Sequence, residues 1–176
     1  MSHLADGLKV MGRFVCGLSM VFSLLLTILT SCDGIDCTIN NVVTLNVGFY
    51  NSKDGQGIAI TDTLTITAEG TDSILYNKGV MLSHVSLPMS YWQEADTLHF
   101  KFYNVTSELT NDVVLYVKKT NRQHFESPDC PTTMFHEVQS VTFKEDAQYI
   151  DSIVVSNSFV NYDAQENIKI YFHTAD

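Results

Sequence analysis

The chain has 176 residues, 45% of them apolar, and a net charge of −10. A single domain of that length can bury a substantial core. The acidic balance disfavours nucleic acid and anionic lipid headgroups as partners, and serves solubility or a cationic ligand such as calcium.

The first stretch in chain order is a leader. Lys9 and Arg13 introduce an apolar run over residues 14–28, broken only by Gly17, Ser19, Ser23 and Thr27. A basic start, an apolar centre and small residues before a cut make a secretory signal. Met11 directly before this run offers a second, more compact start. Leu29-Thr30-Ser31-Cys32 resembles the bacterial lipobox, a branched apolar residue and two small ones before a cysteine. A thiol is needed there because only a thiol leaves a thioether with the lipid donor. The rival reading is an uncleaved spanning helix, since the run approaches the lower limit of about 17 residues. The lipobox reading makes residues 1–31 a lipoprotein signal peptide and Cys32 the palmitate-bearing lipid attachment. Residues 32–41 then form a tether and 42–176 the domain. Lys9, Arg13 and Asp6 leave with the leader, which moves the net charge from −10 to −11.

Of four cysteines, Cys16 leaves with the leader and Cys32 carries lipid. Cys37 and Cys130 are then expected to form a disulfide, because an exported compartment is oxidising. The bridge would stabilise the domain by roughly 4–5 kcal/mol in the chain-entropy model. Free thiols or metal ligation are the alternatives.

From residue 43 onward the apolar pattern has a period of two. Val43, Leu45, Val47 and Phe49 alternate, and residues 51–57 turn the chain. Leu64, Ile66 and Ala68 follow, then a turn at Gly70-Thr71-Asp72 into residues 73–76. A strand over 85–87 stops at Pro88, and the lone Trp92 sits in the next loop as a core plug or an exposed platform. Leu98, Phe100 and Phe102 alternate, as do Val113, Leu115 and Val117. Residues 124–137 lack clean alternation and read as an irregular loop. Strands at 141–143, 153–155 and 168–172 complete the set. No sustained helical period occurs after Cys32. About eight short strands with turn signals predict an all-β chain, a single antiparallel β-sandwich of immunoglobulin-like architecture.

Spacing limits what the chemistry-bearing residues can form. His124, Glu126, Asp129, Cys130, His136 and Glu137 concentrate zinc-type ligands, but match no standard finger or His-Glu-x-x-His helix. The oxygen-rich stretches at 51–55 and 161–167 fit no EF-hand and read as hairpin turns. No nucleophile elbow or phosphate-cradling glycine loop is present, so a non-enzyme with no cofactor and no metal is expected. His84, His99 and His173 read as solvent-facing or satisfied. One triplet recurs: Asp62-Thr63-Leu64, Asp72-Ser73-Ile74, Asp96-Thr97-Leu98 and Asp151-Ser152-Ile153. Asp can close a turn there before a strand begins. The pattern also resembles an O-glycosylation acceptor of exported proteins, which would use Thr63, Ser73, Thr97 and Ser152.

Several pieces in order carry a wider resemblance. They are Asp62-Thr63-Leu64-Thr65-Ile66, Asp72-Ser73-Ile74-Leu75-Tyr76-Asn77, Leu87-Pro88-Met89, Asp96-Thr97-Leu98-His99-Phe100, Ser127-Pro128-Asp129-Cys130 and Ile168-Lys169-Ile170-Tyr171-Phe172. Together they resemble a family of small Bacteroidetes lipoproteins defined as a domain of unknown function and sometimes labelled calcium-binding. Where that family has glycine after its second cysteine this chain has Pro131, so the local loop is not carried over. The resemblance implies a lipid-anchored β domain in the cell envelope with no known activity, and the lipidated Cys32 is expected to hold it at the outer membrane, on either the periplasmic or the surface face. The function expected is a non-catalytic binding or structural module with an envelope protein or glycan partner, or a calcium- or glycan-binding surface module.

Overall fold

The computed structural model describes residues 42–70, 73–128, 130–144 and 149–173. The chain divides after Asp36, and the description concerns the second unit. The leader, Cys32, the tether and Cys37 lie outside the described residues.

Ten strands follow one another: β1 Leu45–Asn51, β2 Thr63–Ala68, β3 Ile74–Gly79, β4 His84–Leu87, β5 Ala95–Asn104, β6 Leu109–His124, β7 Thr133–Phe143, β8 Ile150–Val155, β9 Phe159–Val160 and β10 Ile168–Phe172. They form a four-stranded sheet in the order β4-β1-β10-β8 and a six-stranded sheet in the order β3-β2-β5-β6-β7-β9. The alternation explains the packing. Leu45, Val47 and Phe49 of β1 and Ile168, Ile170 and Phe172 of β10 turn inward from the smaller sheet. Leu98, Phe100, Phe102, Val113, Leu115 and Val117 turn inward from the larger one. Phe172 meets Phe49 beside it and Phe102 across the interface, both edge-to-face at 5.7 Å. Such pairs add about 0.5–1.5 kcal/mol beyond area burial. The architecture is the expected all-β sandwich.

Three details depart from the sequence reading. First, β1 and β10 pair in parallel, Val47 opposite Ile168 through Asn51 opposite Phe172. Parallel neighbours need a long crossover, and here the whole domain between its first and last strands supplies it. Second, residues 124–137 are not one irregular loop. β6 runs to His124 and β7 starts at Thr133. β6 carries Lys119, Asn121 and Gln123 where the core-facing register continues, and on β7 His136 stands between Met134 and Val138, so no unbroken apolar alternation marks the pair. Third, Asn161–Asn167 is no hairpin turn, because it carries the chain from β9 in one sheet to β10 in the other. The stretch after β1 is a hairpin turn as expected, closed by Asn51 N–H on the Gln56 carbonyl at 2.9 Å with Gly55 at φ +69°.

β6 and β7 stay in phase through a bulge. Lys118 faces Ser140 and Lys119 faces Val138, which leaves Gln139 as the extra residue. Without it the inward register of Val117 and Val141 could not be kept by Lys119 and Val138.

Asn167 ties the sheets together. Its buried side chain donates to the carbonyls of Asn157 and Phe159 at 3.1 and 2.9 Å. Its Oδ1 accepts from the backbone N–H of Asn46 at 3.0 Å. Nearby, Gly48 leaves room for the Glu166 carboxylate, which a Cβ there would displace. That carboxylate accepts the Tyr50 hydroxyl at 2.9 Å. Desolvation and Glu166 together raise the Tyr50 pKa above its ordinary value.

Candidate functional site

The far halves of β6 and β7 turn Lys119, Asn121, Gln123 and His136 toward the side that elsewhere meets the second sheet. The loop over residues 88–94 covers Lys119, Asn121 and His136, while Gln123 beyond it is exposed. A closed network holds this loop. The Lys119 side chain is fully buried, and its Nζ lies 2.9 Å from Asp96 Oδ2. It also donates to the Ser90 carbonyl and, at 2.9 Å, to the Ser90 hydroxyl. The Ser90 hydroxyl donates in turn to Asp96 Oδ1, and the Ser90 N–H reaches Asp96 Oδ2 at 3.4 Å. The Lys119 backbone N–H donates to the Glu94 carbonyl at 2.8 Å. All three ammonium protons are therefore taken within the network. Burial pushes the Lys119 pKa below its ordinary value, and Asp96 pulls it part of the way back.

A second chain of bonds runs beside the first. The Gln93 carbonyl can only accept, so Asn121 Nδ2 donates to it at 2.9 Å. That orientation points Asn121 Oδ1 at His136 Nδ1, 2.8 Å away. His136 therefore donates from Nδ1 and keeps its lone pair on Nε2. Desolvation, then the nearby Lys119 charge, lower its pKa from 6.5 to about 4, against a smaller upward pull from Asp96. The Tyr91 ring lies 6.3 Å from the imidazole. Trp92, next along the loop, is 81% exposed. It is a platform and not a core plug.

The geometry makes a clamp. A serine beside a lysine can serve as a nucleophile when the amine is neutral and can accept a proton. Here the lysine donates every proton, one of them to the serine oxygen, and the serine proton rests on Asp96. The arrangement fixes the loop and prepares no attack.

A cavity of about 240 Å³ opens alongside, between the β2–β3 end of the large sheet and the clamped loop. Leu75, Met89 and Leu98 supply its apolar lining, and Glu69, Gln93 and Asp96 its polar one. Among the described residues, the side chains of Glu69 and Gln93 have no hydrogen bond or ion pair.

The described residues singled out by sequence do not form one group, and Asp129 lies outside the described residues. His124 and His136 stand three positions apart in the β6–β7 register and so face opposite sides. His124 stacks on Phe135 at 4.2 Å, with Tyr162 edge-on. Glu137 pairs with Arg122 at 3.2 Å, and Glu126 is exposed. Among the described residues no three His, Cys, Asp or Glu side chains gather as a metal group. Cys130 is disulfide-bonded, and Cys37, its expected partner, lies outside the described residues. Of the acceptor hydroxyls, Ser73 is exposed while Thr63, Thr97 and Ser152 are half-buried. Their aspartates serve different ends. Asp62 accepts from Asn104 Nδ2 at 2.7 Å, Asp151 accepts from Ser152 at 2.9 Å, and Asp96 belongs to the clamp. Asp72 lies outside the described residues. His99 meets Asp112 at 3.3 Å, and His173 meets Asp151 at 3.7 Å.

The sequence reading missed Ser90, Lys119 and Asn121, and took Asp96 only as part of a repeat. A signal was present. Asp96 continues the inward register of Leu98, Phe100 and Phe102, and Lys119 continues that of Val113, Leu115 and Val117.

A model of the family of unknown function DUF6452 matches residues 63–172, and the chain belongs to that family. All seven residues of the two networks, from Ser90 to His136, fall inside the match. No curated protein and no solved structure gives a match.

Breaking one member of a buried pair leaves an uncompensated charge. Lys119→Met is expected to lower unfolding free energy by about 3–5 kcal/mol. Lys119→Met with Asp96→Leu should recover most of that loss in urea melts, and an equal loss in the double variant would contradict the clamp. For His136 the folded pKa lies below the unfolded one, so the unfolded chain binds its proton first as pH falls. Stability should drop by about 3 kcal/mol between roughly pH 6.5 and 4 and then level off. His136→Gln should flatten that part of the profile, and an unchanged slope would show that other groups produce it.

Proposed function

We propose that this family member is a non-catalytic binding or structural module of a bacterial cell envelope, held to the outer membrane by lipid on Cys32. One observation carries the non-catalytic part: the Ser90 hydroxyl and the Lys119 ammonium are consumed by each other and by Asp96, so the best-organised polar group in the domain supports a loop. The lipobox supports the anchor. A Cys37–Cys130 bridge would staple the tether to the body of the domain, and the disulfide-bonded state of Cys130 is consistent with that pairing. The partner is an envelope protein or a glycan.

A second reading is a calcium- or glycan-binding surface module. The exposure of Trp92 favours its glycan branch. The calcium branch rests on net charge alone, since no metal group is assembled among the described residues.

Cys32→Ala should move the protein from the membrane to the soluble fraction, and equal membrane retention would remove the lipid anchor. Protease treatment of intact cells then sorts the roles. Loss of the domain places it outside, where a glycan or a surface protein is the partner. Survival until the outer membrane is opened points to an assembly role in the periplasm. In the same extracts, mass spectrometry of non-reduced peptides should link Cys37 to Cys130, and an alkylatable thiol at Cys37 would contradict the staple.

A further inference from the structure

We infer that the cavity beside the clamped loop is a binding site for one neutral saccharide unit, with Glu69 and Gln93 taking its hydroxyls and Trp92 an apolar sugar face. The inference rests on the binding-module reading and gives it a site and a ligand class. Size comes first. Drug-sized ligands occupy roughly 300–1,000 Å³, and this cavity holds about 240 Å³, the scale of a single ring with its substituents.

Chemistry comes second. The lining from Leu75, Met89 and Leu98 suits the C–H face of a sugar ring. Glu69 and Gln93 end in planar groups, each able to bridge two neighbouring hydroxyls, and neither is satisfied by a described side chain. A ligand that brought no hydrogen-bonding groups would leave both to water.

Charge comes third. Two carboxylates, Glu69 and Asp96, line the cavity. Lys119, which bonds to the lining residues Ser90 and Asp96, directs all its protons at them. An acidic sugar would meet uncompensated negative charge. A neutral saccharide avoids that penalty.

The loop that walls the cavity is also the loop that carries Trp92. Ser90 and Gln93 both line it, and Trp92 stands between them in sequence with 81% of its surface exposed. Fixing the loop through Ser90, Gln93 and Glu94 removes much of the ordering cost that a mobile loop would impose on binding.

The chain contains one tryptophan, so its emission reports on Trp92 alone. The full chain in a sugar-free zwitterionic detergent is titrated with neutral hexoses, N-acetylhexosamines and their short oligomers. Uronic acids, primary amines and short apolar peptides serve as comparators. The expected result is a saturable blue shift with at least one neutral sugar and weaker or no response to uronic acids. Glu69→Ala and Gln93→Ala, both at exposed positions, should each raise the dissociation constant by about tenfold, the equivalent of one hydrogen bond. No shift with any neutral sugar would overturn the proposal, as would a sugar response unchanged in both variants. A response confined to the peptides, amines or acids would overturn the ligand class while leaving the binding-module reading in place. Membrane retention of Cys32→Ala bears on the anchor alone.

Discussion

Everything distinctive about this domain depends on a lysine that has no access to water. Taking an ammonium and a carboxylate out of solvent costs several kcal/mol per ion, and their attraction repays this only when the remaining protons and lone pairs are also satisfied. Lys119 and Asp96 meet that condition because Ser90 supplies both a hydroxyl and a carbonyl. A pair of well-packed apolar residues would serve stability as well or better. What the apolar pair could not do is choose one loop conformation, since hydrophobic contact has no direction. The ammonium fixes the positions of Ser90 and Asp96 at once, and so determines the path of the five residues between them.

The need for such a device follows from unequal sheets. β6 has 16 residues and β7 has 11, whereas the strands of the smaller sheet have four to seven. The inward faces of the long strands therefore need another cover where the short strands end. The loop after β4 supplies it, and the polar residues beneath it meet its carbonyls at Gln93, Glu94 and Ser90. Loop backbones bring groups that must be paired, so the strand face under a loop is polar where the face under a sheet is apolar. Asn167 solves the same problem elsewhere, taking two carbonyls near β9 and one N–H of β1 with a single amide.

This division explains what was legible in the sequence. Wherever sheet faces sheet, period-two alternation placed the strands: β1, β2, β5, β10 and the first half of β6 were all read from it. Wherever loop covers sheet, the same periodicity continues in polar residues, and apolar counting cannot see it. Lys119, Asn121 and Gln123 extend β6 on one face, and on β7 the single polar residue of that face, His136, stands between Met134 and Val138. The stretch 124–137 was misread for that reason. β9, at two residues, is too short to carry any period. The clamp partners lie 23 positions apart in sequence, at Asp96 and Lys119, and only the antiparallel register of β5 on β6 brings their ends together. A charged residue on the inward register of an apolar strand is the signature to look for: two such residues near the ends of neighbouring strands are candidates for one another.

The clamp also bears on what kind of site this can be. Catalysis by a serine and a lysine needs a proton that moves, and the stability of this network comes from protons that stay. If Lys119 gave up its proton, Asp96 would lose its only ion-pair partner among the described residues and the loop would lose its hold. Chemistry and loop placement are therefore in competition at Ser90, and the geometry favours placement. Binding has the opposite relation to the clamp. A loop held through Ser90, Gln93 and Glu94 presents Trp92 to solvent already ordered, so under the proposed binding role the bonds that occupy the serine would also lower the ordering cost of recognition.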